Sequence, residues 1–169
     1  HACKQCCDDA RDIPETTKLD KTQMRVLESI KTDQPVSSPK LKSVLERITY
    51  PIHHIDFESF MTAIPRYEST KPYDGILFQW SNHTESQDGV ITHTDFVFDG
   101  NGDPRRAFAE SLLGSVGTSG SLCIYSNYEE VAIKQLAKLF EDLRVPLLAL
   151  LDRTWDLFEV IRRHFYHPD

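Results

Sequence analysis

Apolar and polar positions change their spacing several times along the chain, and each change predicts an element. In "TQMRVLESIKT" Met24, Leu27 and Ile30 recur at helical spacing, which predicts a short amphipathic helix ending before "DQPVSSPK". "SPKLKSVLERI" predicts a second helix, with Ser38 as N-cap and Pro39 at the first helical position. The run at 50–58 within "YPIHHIDFESF" then alternates. Ile55 and Phe57 fall on one face of a strand, and His54, Asp56 and Glu58 fall on the other. After the turn signal "STKPYDG" come two β-rich runs, "ILFQWSNHT" and "VITHTDFVF", joined by "ESQDG", where Asp88 and Gly89 suit a tight hairpin.

The second half turns helical. "NGDPRRAFAESLLGSVG" predicts a helix with Asp103 as cap, Pro104 in its first turn and Gly114 or Gly117 near its end. "SLCIYSN" is a short apolar strand, "YEEVAIKQLAKLFEDL" the helix that leaves it, and "PLLALLDR" and "WDLFEVIRRHFY" read as further helices. The order βββαβα predicts an α/β domain with a mixed sheet and flanking helices. Its fourth strand should lie parallel to the first after the helical crossover. Residues 1–47 are expected to form a polar linker and helical arm, and residues 48–169 the sheet domain.

Composition narrows the classes. At 169 residues, 40% hydrophobic and 27% charged, the chain suits one globular domain. No apolar run approaches the roughly 20 residues that span a bilayer, and "HACKQCCDDARD" lacks the regions of a signal peptide, so a cytoplasmic location with no membrane partner is expected. The chain starts without Met and stops just after a helical stretch, which reads as a piece of a longer protein truncated at its C-terminus. A balance of 19 Lys and Arg against 26 Asp and Glu, net −7, has the wrong sign for coating nucleic acid through backbone charge alone. An enzyme that handles a short end through metal ions is still compatible with it. Cys123 sits in an apolar strand and reads as a buried thiol. Cys3, Cys6 and Cys7 form "CKQCC", a C-x-x-C pair with no second pair downstream; it is read as unoccupied, or as completed by an upstream cysteine-cluster domain.

The acids carry the chemistry. Burying unpaired carboxylates costs several kcal/mol per ion, so Asp56 and Glu58 on one strand face call for a partner. Two carboxylates at i and i+2 suit a hard divalent cation, Mg²⁺ or Mn²⁺, which keeps waters and borrows phosphate oxygens. Glu129 and Glu130 open the helix after "IYSN", where negative charge also suits the helix dipole.

The "HIDFES" strand, the hairpin after it and the strand running into "NYEE" resemble the DEDD 3′–5′ exonucleases of the ribonuclease H-like fold. More closely, "YPIHHIDFESFMTAIPRYESTKPYDGILFQWSNH", "DPRRAFAESLL", "CIYSNYEE" and "RTWDLFEVIRRHFYHP" are similar to a bacterial family of unknown function in that clan, over about residues 48–169. The resemblance implies a two-metal phosphodiesterase acting on nucleic-acid ends. Asp56 and Glu58 are implied as first-motif ligands and Glu129 as the second-motif acid. The chain departs from the pattern in having Glu rather than Asp at 129, and in lacking a third Tyr- or His-preceded acid before Asp169, so the metal site is expected to be incomplete and hydrolysis is expected of the intact protein, with residues 1–169 alone nearly inactive. Asp156 of "WDLF" is either a fourth carboxylate ligand or a helix cap. His54, Phe60, Asn127 and Tyr128 flank the acids as substrate contacts, the aromatics by stacking on a terminal base. The competing reading is a ribonuclease H-like binding or regulatory module without catalysis, favoured by Glu129 and by the negative charge.

Overall fold

In a computed structural model, which describes residues 9–168, the elements in chain order are α1 (Lys21–Thr32), β1 (Val36–Ser37), α2 (Leu41–Leu45), β2 (Ile52–Met61), β3 (Gly75–Glu85), β4 (Ile91–Val97), α3 (Arg105–Val116), β5 (Ser121–Ile124), α4 (Tyr128–Leu139), α5 (Arg144–Leu151), β6 (Thr154–Asp156), α6 (Leu157–His164) and β7 (Phe165–Tyr166). Contacts divide the chain into two units, one made of the residues up to Arg47 with Phe158 onward, the other running from Ile48 to Leu157.

In the first unit, Asp20 and Gln23 cap α1 reciprocally. The Asp20 carboxylate accepts from the N–H groups of Thr22 and Gln23, and the Gln23 side-chain oxygen accepts from Asp20 N–H at 2.9 Å. α1 buries Arg25 and Ser29, while Met24 is exposed. The Arg25 guanidinium donates to the Arg163 carbonyl at 2.8 and 2.6 Å, and so ties α1 to the C-terminal segment. β1 pairs antiparallel with β7, and Ser38 N–H donates to the His164 carbonyl at 2.7 Å.

The second unit is built on a five-stranded mixed sheet of order β4-β3-β2-β5-β6. β2, β3 and β4 form an antiparallel meander, whereas β5 runs parallel to β2 and β6 parallel to β5. Asp88 and Gly89 make the tight turn between β3 and β4: Gly89 takes φ +82°, Ser86 N–H donates to the Val90 carbonyl, and the Ser86 hydroxyl donates to the Asp88 carboxylate. At the start of β5, Gly120 takes φ +80° directly against Pro51, so a Cβ there would overlap the Pro51 carbonyl. Only glycine permits that approach.

One sheet face is apolar. Ile55 and Phe57 of β2, Trp80 of β3 and Ile124 of β5 share a core with Phe108 and Leu112 of α3, Ile133 and Leu136 of α4, and Leu147 and Leu150 of α5. Phe57 meets Phe108 edge-on at 5.0 Å between centroids. The Trp80 indole N–H donates to Ser111 Oγ at 2.9 Å, so a polar tip is satisfied inside this core. Ser111→Ala leaves that N–H without a partner and is expected to cost about 1–3 kcal/mol. A shift of the urea midpoint at unchanged slope would register the loss; an unmoved midpoint would mean the bond contributes nothing.

Several expectations need correction. "WDLFEVIRRHFY" is not one helix: Trp155 and Asp156 belong to β6, and Phe165 and Tyr166 to β7. Both strands are too short to show a period, and their hydrogen bonds come from partners distant in sequence. α2 begins at Leu41 rather than at Pro39, with Ser38 Oγ accepting from Lys40 N–H at 3.2 Å. Asp103 is not the residue before α3, yet its carboxylate accepts from Arg105 N–H at 3.1 Å and pairs with that guanidinium. Cys3, Cys6 and Cys7 lie outside the described residues. Among those residues, no helix is long and apolar enough to cross a membrane.

Candidate functional site

β2 places its acids as the alternation predicts. Ile55 and Phe57 are buried, while His54, Asp56 and Glu58 are exposed. Across the meander His54 lies opposite His83, and His83 opposite His93, whose rings stack at 4.3 Å. His54 Nε2 lies 3.4 Å from Glu85 Oε2 on β3, so its nearest acid belongs to that strand. The pairing register shifts between Glu58 and Ser59, and alternation counted from Asp56 therefore ends at Glu58. Beyond the shift, the half-buried Phe60 ring tilts against Phe78 at 5.9 Å.

The parallel strands set the other half. β5 pairs with β2 up to Cys123 opposite His54, and with β6 up to Asp156 opposite Ile124. The chain leaves β5 through Tyr125, Ser126 and Asn127 and enters α4 at Tyr128. Ser126 takes φ +84°, a left-handed conformation that costs an L-residue about 1–2 kcal/mol. Its N–H donates to the Asp156 carboxylate at 3.2 Å, so β6 braces the turn that starts α4. Asn127 is exposed and forms no side-chain cap. Tyr128 is also exposed, and its hydroxyl donates to Ser59 Oγ at 2.7 Å, a link between α4 and β2 that sequence reasoning missed. A lone strand serine carries no local signal for it.

Glu129 is the unusual residue. It is 4% exposed, and its Oε2 is buried with no hydrogen-bond partner. Burial first, then the charges of Asp56 and Asp156, push its carboxyl up from 4.5 to about 7; a hydrogen bond from its own N–H opposes the shift. Glu58 is not among the charges acting on it. Glu130, by contrast, pairs with Lys134 at 3.0 Å, the ordinary i,i+4 bridge of a helix surface. Burial also pushes the Cys123 thiol up to about 11, which leaves it an inert core sulfur. His53, facing the core beside Asn82, is pushed down by burial and reads as a neutral structural imidazole.

A buried carboxyl with one oxygen, Oε2, left without a partner and two further carboxylates acting on it has the chemistry of a hard-cation site: oxygen ligands only, with negative charge to neutralise. The residues fit such an ion in donor type and charge. They do not form a closed cage, because no three His, Cys, Asp or Glu side chains among the described residues converge to hold a metal. Waters and substrate oxygens would have to complete the coordination.

Residues 53–169 match a domain of unknown function, DUF2779, and the chain belongs to that family. No curated protein and no solved structure matches the chain.

Proposed function

We propose that this DUF2779 chain has a ribonuclease H-like fold related to the DEDD exonucleases and hydrolyses phosphodiester bonds at nucleic-acid ends, in a 3′–5′ sense, with Mg²⁺ or Mn²⁺. The observation that carries the reading is the buried Glu129 carboxyl, its Oε2 without a partner and within the electrostatic reach of Asp56 and Asp156. A fold does not keep such a group for stability, since a buried carboxylate with an unpaired oxygen costs free energy. The strand order, with β2 at the centre and β5 parallel to it, supports the same reading.

Asp56 and Glu129 would hold the cation, with Glu58 the next carboxylate on the same face of β2, and the ion would supply Lewis-acid activation of water and stabilisation of the leaving oxygen when bound. Asp156 acts at one remove by bracing the Ser126 turn that aims α4. Tyr128, anchored on Ser59, and Phe60 offer aromatic surface to a terminal base near the C-terminal end of β2, Asn127 is exposed next to Tyr128, and His54 is exposed near the start of that strand. Glu129 is about half protonated near pH 7 and would lose that proton when opposite charge arrives, so cation binding should strengthen as pH rises through about 7.

Calorimetry with Mn²⁺ tests the ligand set. Wild type should bind more tightly at pH 8 than at pH 6 and release a proton at the lower pH, and Asp56→Ala should lose most of the heat. Equal heats from the two proteins would remove Asp56 from the ligands. The second reading, a ribonuclease H-like binding or regulatory module without catalysis, is favoured by the absence of three converging ligands among the described residues. An Mn²⁺ heat that is absent from wild type would select it.

A further inference from the structure

Between the β2–β3 connection, the start of α3 and the C-terminal half of α4, in the sheet unit, lies a cavity of about 560 Å³. That size falls within the roughly 300–1,000 Å³ of small-molecule sites. Leu136 and Leu139 form part of an apolar floor, and three cationic side chains, Lys71, Lys138 and Arg105, share the lining with Asp74. The chain as a whole carries −7, so a cavity with three cations departs from its background.

The two lysine charges are not consumed internally. Neither the Lys71 nor the Lys138 ammonium forms an ion pair among the described residues, whereas Lys42, Lys134, Arg106 and Arg144 all do. Arg105 is 8% exposed; its Nε and Nη2 hold Asp103, and Nη2 also donates to the Glu68 carbonyl at 2.9 Å. Its Nη1 donates to no group among the described residues, and Arg105 is one of the residues that line the cavity. The Asp74 carboxylate accepts from Lys71 backbone N–H at 2.7 Å, so it closes the loop and gives the lysine side chain no partner.

We propose that this cavity binds a phosphate-bearing ligand, with Lys71, Lys138 and Arg105 Nη1 on the phosphate oxygens and the leucine floor under the ligand's apolar part. A phosphate group takes donors from several directions at once, and a guanidinium edge with two mobile ammoniums supplies them. The phosphate belongs to a free nucleotide-like molecule or to a nucleic-acid strand. The site stands apart from the nuclease reading, because none of its residues belongs to the acidic cluster.

The test is calorimetric titration of the chain in EDTA, where no metal-dependent turnover interferes. Inorganic phosphate, AMP and a ten-residue oligo-dT are each titrated into wild type and into the Lys71→Gln/Lys138→Gln variant. Both lysines are exposed, so the variant should fold with an unchanged melting temperature in phosphate-free buffer. Phosphate binding should weaken by at least about tenfold in the double variant, as expected for losing two charge-assisted hydrogen bonds. Variant-sensitive binding of AMP but not of oligo-dT identifies a free ligand, and variant-sensitive binding of oligo-dT identifies a strand. No phosphate binding to wild type, or equal binding by the variant, overturns the proposal whatever the fate of the nuclease activity.

Discussion

Asp56→Asn is expected to lower Mn²⁺-dependent release of terminal nucleotides from a labelled oligonucleotide by at least about 10²-fold, the scale on which removing one charged stabiliser from a preorganised site acts. The substitution keeps the shape of the side chain and deletes its charge. Because Asp56 is exposed on β2 and its charge acts against Glu129, the loss should come without unfolding: removing one of several repelling carboxylates relieves repulsion and breaks no packing. The assay is gel-resolved digestion of 3′- and 5′-labelled single strands with and without chelator, beside a melting curve of each protein. Cleavage that survives chelator, or an Asp56→Asn rate equal to wild type, would sink the metal-dependent reading. If wild type itself cuts nothing under any condition, the non-catalytic module becomes the better account.

Glu129→Gln should stabilise the metal-free chain at pH 8 and flatten part of its pH profile. Glu129 titrates near 4.5 when unfolded and near 7 in the fold. Between those values the folded chain keeps a proton that the unfolded chain has lost, so this residue makes stability fall as pH rises. Below pH 4.5 it contributes nothing. Above about 7 the cost is complete, about 3 kcal/mol at the linkage rate for one group. Glutamine removes the charge but brings an N–H₂ to the same buried spot, which limits the expected gain to about 2 kcal/mol. Urea unfolding of both proteins in EDTA at pH 4.5, 6 and 8 reads it directly, since the difference between their profiles isolates residue 129. A constant difference across that range would mean that Glu129 does not titrate there. Saturating Mn²⁺ should then stabilise wild type more than the variant, reversing their order.

Elements whose signal is local and periodic are legible along the chain before it folds. Alternation in "HHIDFES" assigned Ile55 and Phe57 to the core and His54, Asp56 and Glu58 to the open face, as observed. Turn chemistry at Asp88 and Gly89 fixed the meander, and the helix after β4 required β5 to return parallel to β2. In α1, helical spacing found the helix but not its buried side: Met24 is exposed, and Arg25 is drawn in by the Arg163 carbonyl, a partner far along the chain. β6 escaped for a related reason, because three residues show no period and their hydrogen bonds are made only when β5 lies alongside.

The candidate site divides in the same way. Asp56, Glu58 and Glu129 were legible as acids on a strand and on a helix start, where an ordinary dipole benefit explains Glu129 and Glu130 alike. Only the tertiary structure separates the two. It leaves Glu130 on the surface with Lys134, and it takes Glu129 out of water beside Asp56 and Asp156. The physical reason is that desolvation and repulsion depend on what surrounds a carboxylate in space, and no spacing along the chain encodes which helix end the folded sheet will cover.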